Sequence, residues 1–115
     1  MTEDLRGAER RAHVRRKLRS PAFMVLPGGK VVDVRTLDIS AGGMGLLIGA
    51  NPPKGTVFDL QMALPMRSDG HRKLRAKVEV MQSIYDGQDG GFKVGVRFVG
   101  LEPDDSAAIA AFLQS

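Results

Sequence analysis

Apolar and polar side chains alternate with a period of two along most of the chain between residues 22 and 98. Neighbouring side chains on a strand point to opposite faces, so this alternation predicts half-buried strands. The first covers residues 22–26 and ends at the turn Pro27-Gly28-Gly29. The second covers 30–39, where Val32 and Val34 alternate with Asp33 and Arg35 before the apolar phase slips to Leu37 and Ile39. A slip inside a strand predicts a bulge or bend near Thr36 and turns Asp38 and Ser40 outward. Met44, Leu46 and Ile48 begin a third strand. After the loop Asn51-Pro52-Pro53-Lys54-Gly55, residues 57–64 form a fourth, with Phe58, Leu60, Met62 and Leu64 inward. The fifth sets Leu74, Ala76, Val78 and Val80 against Arg75, Lys77 and Glu79. A glycine-rich hairpin loop at 86–91 leads into the sixth, with Phe92, Val94, Val96 and Phe98 inward. The period then changes to 3.6. Glu102-Pro103-Asp104-Asp105 starts a short helix with Ile109, Phe112 and Leu113 on its apolar face. Six alternating strands and one terminal helix predict an all-β antiparallel barrel or sandwich.

The length of 115 residues fits one domain, and the absence of Trp leaves an aliphatic core with Met as filler. There is no Cys, and His13 and His71 are the only histidines. Disulfides, thiolate metal sites and cysteine nucleophiles are thereby excluded, and a histidine metal cluster or triad is not expected. No nucleophile–base pair or paired carboxylates stand out, so no enzyme is expected and no cofactor. The polar start, with Glu3 and Asp4, lacks the apolar core of a signal peptide, and no apolar run reaches the ~18 residues of a membrane span. A cytoplasmic location is expected.

Charge changes this picture. The net charge is +4 and the pI about 9.9, which favours a polyanionic partner. Arg6, Arg10, Arg11, Arg15, Arg16, Lys17 and Arg19 all fall in the first twenty residues. The expected organisation is a flexible basic arm over 1–20 and a barrel domain over 21–115. The arm is either a solvated tail or an anion clamp that orders on binding. Its bias to arginine suits bidentate recognition of phosphate and guanine edges.

The stretch Asp38-Ile39-Ser40-Ala41-Gly42-Gly43, followed closely by Gly45, puts a carboxylate, a hydroxyl and backbone unshielded by side chains side by side. One reading is a tight turn between strands. The other is a small polar platform, its glycines permitting positive φ, a bulge or close approach of a ligand.

Two spacings then stand in order: Arg11 and Arg15 as RxxxR, and Asp38, Ser40 and Gly43 as DxSxxG. With Gly95-Val96-Arg97-Phe98, Leu101 and the final helix, they make the chain from about residue 9 to 113 resemble the PilZ domain family of cyclic di-GMP receptors. The resemblance implies a six-stranded antiparallel barrel. It implies that Arg11 and Arg15 wrap the ligand while Asp38, Ser40, Gly42 and Gly43 receive it. It implies a receptor that signals through a partner protein. An arginine just before the RxxxR, here Arg10, resembles the arrangement that binds two stacked ligand molecules. Val80-Met81-Gln82 departs from the large aromatic that many members carry in that region. Two other functions fit the arm or the fold: a nucleic-acid binder, and a PilZ-like interaction domain that binds no nucleotide. Few aromatics are expected on the surface, which argues against the first.

Overall fold

The computed structural model describes residues 14–67 and 70–115. Its strands are β1 (Arg16–Lys17), β2 (Pro21–Val25), β3 (Val31–Ile39), β4 (Gly43–Ile48), β5 (Val57–Met66), β6 (Gly70–Asp86) and β7 (Gly91–Leu101), followed by helix α1 (Pro103–Gln114). Hydrogen-bonded neighbours run β3-β2-β5-β6-β7-β4, and β4 pairs back to β3. All pairs are antiparallel, so six strands close into a barrel and its edges are joined. The two-residue β1 is an addition that the alternation did not predict. It lies on the same edge of β3 as β2, pairing Arg16 with Ile39 and Lys17 with Asp38.

The inward sets of the fourth and fifth predicted strands are buried without exception: Phe58, Leu60, Met62 and Leu64, and Leu74, Ala76, Val78 and Val80. Ala22, Met24, Val34, Met44, Leu46, Ile48, Val94 and Val96 complete the barrel interior. β6 runs well past the predicted end, because its last residues pair with β7 alone up to Tyr85 and Asp86. Helix α1 starts where predicted, with Pro103 in its first turn and Asp104 and Asp105 at the positive end of its dipole. Ala108, Ile109 and Phe112 join the core, with the helix against β5. Arg72, at the start of β6, donates to Asp105 from Nη2 at 3.0 Å and ties the helix to the barrel wall.

The expected slip in the second strand is a bulge at Leu37, between the pairs Thr36↔Leu46 and Asp38↔Gly45. Before it Val34 and Thr36 point inward, and after it Ile39 does. The buried polar side chain at Thr36 is satisfied locally. Its Oγ1 accepts from Ser20 N–H and donates to Leu18 C=O, both at 2.9 Å. Thr36 thus bridges the gap between β1 and β2, where backbone pairing is interrupted.

Most of the arm expected over residues 1–20 lies outside the described residues, and its described end packs against the barrel. Leu18 is only 2% exposed and belongs to the core, and its N–H donates to Leu37 C=O at 3.1 Å. Arg16 is committed to the helix. Its guanidinium lies 4.4 Å from the Phe112 ring centroid and donates to the carbonyls of Phe112 and Ser115. Unpaired carbonyls at a helix C-terminus favour a cation there. Arg16 therefore fastens the chain leading into β2, a structural role for a residue the charge pattern grouped with the clamp.

Candidate functional site

Asp38 sits at the end of β3, half-buried, on the strand face turned outward by the Leu37 bulge. Arg15 Nη1 donates to its Oδ1 at 2.8 Å. The two side chains are 57% and 33% exposed, so the pair is solvated and weak, under about 1 kcal/mol. It brings the second arginine of the RxxxR onto the first residue of the DxSxxG. Arg10 and Arg11 lie outside the described residues.

Asp38 owes its position to Gly45 directly across the β3–β4 pair. A Cβ at Gly45 would come within 2.8 Å of Asp38 Oδ1 and 3.3 Å of Cγ. The missing side chain leaves the space that the carboxylate fills. The sequence marks Gly45 only as one more bare position after the Asp38–Gly43 stretch, and the strand register alone gives it this role.

Ser40 is placed differently from expectation. It is 2% exposed and does not face outward. Its Oγ accepts from the N–H groups of Gly42 and Gly43 at 3.3 and 3.2 Å, while Ser40 N–H donates to Gly43 C=O at 2.8 Å. The hydroxyl builds the β3–β4 turn, and the bare amides of the expected platform are taken up inside it. Gly42 is half-buried, and its carbonyl accepts from Phe98 N–H at 2.9 Å. None of Gly42, Gly43 and Gly45 has positive φ. Gly43 is glycine because β7 runs against it. A Cβ there would meet Val96 O well inside 3.0 Å, with Arg97 Cα at 3.0 Å. The room at Gly43 is filled by a neighbouring strand rather than left for a ligand.

A groove of about 710 Å³ runs from Asp38 across the outer face near β1 and the β6–β7 loop. Lys17, Arg19, Arg35 and Lys93 line it together with Asp38 and Asp89. Lys93 is paired with Asp86 Oδ2 at 3.1 Å, which leaves three lining cations with no ion pair among the described residues. That hydrogen bond, helped by the amides of Asp89 and Gln88, holds the Asp86 carboxyl below its ordinary 3.8. Chemically the groove offers hydrogen-bond acceptors at the Asp38 and Asp89 carboxylates with an excess of positive charge around them. This suits an anion that also carries N–H donors. Arg35 and Lys93 come from strands on which sequence alternation marked them only as outward, so their convergence on Asp38 was not readable from spacing. Among the described residues, no three His, Asp or Glu side chains gather as a metal site.

The chain superposes on an inhibitor of motility from Bacillus subtilis, MotI/DgrA, with TM-score 0.76 and 17% identity over 89% of this chain and 49% of that one. It superposes on the PilZ domain of YcgR from Escherichia coli, solved with c-di-GMP, with TM-score 0.64 and 19% identity over 91% and 89%. A complex of K. pneumonia MrkH with c-di-GMP gives TM-score 0.64 and 19% identity over 89% and 50%. The chain thus spans about half the length of MotI and MrkH and nearly all of the isolated YcgR domain. Comparison with curated proteins gave no match. The profile of the PilZ domain matches residues 9–115, a span that takes in both arginines of the RxxxR, the Asp38 turn, the closed barrel and the helix, and the chain belongs to the PilZ domain family.

Proposed function

We propose that this protein is a cyclic di-GMP receptor that carries out no chemistry and signals in the cytoplasm through a partner protein. The observation that carries the reading is the Arg15–Asp38 pair at the edge of a groove where Lys17, Arg19 and Arg35 make no ion pair among the described residues. Cyclic di-GMP presents phosphates to guanidinium and ammonium groups. The guanine N1–H and N2–H edge suits a carboxylate, and its O6/N7 edge suits an arginine, a pairing that discriminates by about 1–3 kcal/mol. Asp38 receives the guanine donor edge, while Arg11 and Arg15 take phosphate and the O6/N7 edge. Lys17, Arg19 and Arg35 add charge around the phosphates. The solvated Arg15–Asp38 contact is weak enough for the ligand to displace. Gly42, Gly43 and Ser40 act through the turn that holds Asp38 at the end of β3. YcgR and MrkH, whose structures contain c-di-GMP, share this fold.

Arg10 immediately precedes Arg11 in the sequence, and a further guanidinium there suits a stacked pair of ligands with twice the charge. Calorimetric titration with cyclic di-GMP, with GTP and a single-stranded oligonucleotide as controls, tests the whole reading. Saturable binding of cyclic di-GMP alone is expected, with two ligands per chain, falling to one in Arg10→Leu. Equal binding of the oligonucleotide would favour the nucleic-acid reading. No binding of any of the three would leave an interaction domain that takes no nucleotide.

A further inference from the structure

A second groove, of about 370 Å³, lies across the outer face of β2, β5 and β6. Strand register builds it. Phe23 of β2, Gln61 of β5 and Arg75 of β6 stand side by side, and Ala63 is paired with Lys73. Pro21 completes the lining. Two features combine on this face. Phe23 is an aromatic left 42% exposed on an outward strand position, in a protein with little aromatic content. Lys73 and Arg75, neighbours along one rim of the groove, make no ion pair among the described residues. Among the described residues no carboxylate lines the groove, and the nearest in register, Asp33, lies across the β2–β3 pair from Phe23.

We infer that this groove is a docking site for an acidic peptide segment of a partner protein that carries an aromatic or aliphatic anchor. Charge complementarity selects the acidic partner: two unneutralised cations on one rim attract carboxylates and repel basic segments. The apolar side, Pro21, Phe23 and Ala63, selects the anchor. A bare polyphosphate would satisfy Lys73 and Arg75 but leave Phe23 in water. A peptide with carboxylates flanking one large apolar side chain covers both, with the anchor against Phe23 and the charges on the rim, the usual division between the core and edge of an interface. The site is distinct from the Asp38 groove, which it meets only at Pro21. It stands without the nucleotide reading.

The test is fluorescence polarisation on the full chain, without nucleotide. The probe is a fluorescein-labelled peptide of Asp and Glu residues around a central Leu-Phe pair. Comparison probes replace Leu-Phe by Ser-Ser, or the acids by Lys, and a single-stranded oligonucleotide of equal charge is the fourth. Saturable binding of the first peptide is expected, with both peptide controls at least about tenfold weaker. Lys73→Glu/Arg75→Glu should weaken it by about tenfold or more, and Phe23→Ser by about tenfold. Lys73→Gln/Arg75→Gln, which introduces no new charge, guards against misfolding and should give a smaller loss in the same direction. The inference is overturned if the acidic peptide fails to saturate, if the Phe23 and charge variants bind it as the wild type does, or if the oligonucleotide binds the groove at least as tightly. Retained cyclic di-GMP affinity in these variants would separate a failure here from a failure of the nucleotide reading.

Discussion

Replacing Gly43 with Ala adds one methyl where β4 and β7 pack backbone to backbone, and the cost follows from what that methyl meets. Its nearest neighbours are Val96 O, Arg97 Cα and Val96 C, all main chain, so no flexible side chain can swing aside. Gly43 pairs with Arg97 in the β4–β7 ladder, and the strands must separate there or bend. Overpacking of this kind costs typically about 1–3 kcal/mol, and the contact with an immovable carbonyl puts it at the upper end. The adjacent bond from Phe98 N–H to Gly42 C=O, 2.9 Å long, is strained by the same movement, at about 1 kcal/mol. Against this, Ala lowers the entropy of the unfolded chain by an amount worth about 0.7 kcal/mol. The net loss is about 3 kcal/mol. An unfolding entropy of about 2.1 cal/mol/K per residue gives about 0.24 kcal/mol/K for this chain, so Tm falls by about 12 °C. Thermal unfolding followed by circular dichroism measures it. Gly49→Ala is the control, since a Cβ there meets nothing within 4 Å and φ is not positive. It should leave Tm unchanged or slightly raised. A Gly43→Ala protein melting within about 3 °C of wild type would refute the claim that β7 dictates glycine at this position.

Gly45→Ala should behave in the opposite way. The three atoms nearest its Cβ all belong to the movable Asp38 carboxylate, so Tm should hold within a few degrees while cyclic di-GMP affinity in a calorimetric titration falls at least about tenfold. Arg15→Ala removes a solvated ion pair, so urea unfolding should show a loss below about 1 kcal/mol, alongside loss of most nucleotide affinity. Wild-type affinity in that variant would sink the clamp assignment. The Asp86 carboxyl is held below 3.8 chiefly by Lys93, so its stabilising effect is present above the unfolded-state pKa and disappears as pH falls through the lower folded-state value. In Lys93→Met, an NMR titration of Asp86 should move up toward 3.8, and acid unfolding should depend less on pH below that value. An unmoved titration would mean that the loop amides, and not Lys93, set it.

Much of the barrel was determined by local pattern. Period-two alternation placed the interior of the fourth and fifth predicted strands residue by residue, because successive side chains point to opposite faces and only one face of these two strands meets the core. The phase slip marked the bulge for the same reason, and the change of period with Pro103 and two acids marked the helix. The RxxxR and DxSxxG spacings were legible as residue types in order, and they pointed to the family the whole chain matches. Tertiary structure decided what alternation cannot encode. Leu18 and Arg16 look like interruptions in a charged arm, yet one enters the core and the other caps α1, since both partners lie far along the chain. Ser40 looked outward by parity, but alternation stops at the turn, where the hydroxyl is drawn in to satisfy two amides. Gly43 and Gly45 are both bare positions in sequence. Only the register of β4 with β7 and with β3 distinguishes the one that admits a backbone from the one that admits a carboxylate. Arg35 and Lys93 are 58 positions apart, and closure of the barrel is what brings them to one groove with Asp38. Sequence pattern reports which face a side chain takes, whereas a site depends on which faces meet, and that is decided by long-range pairing.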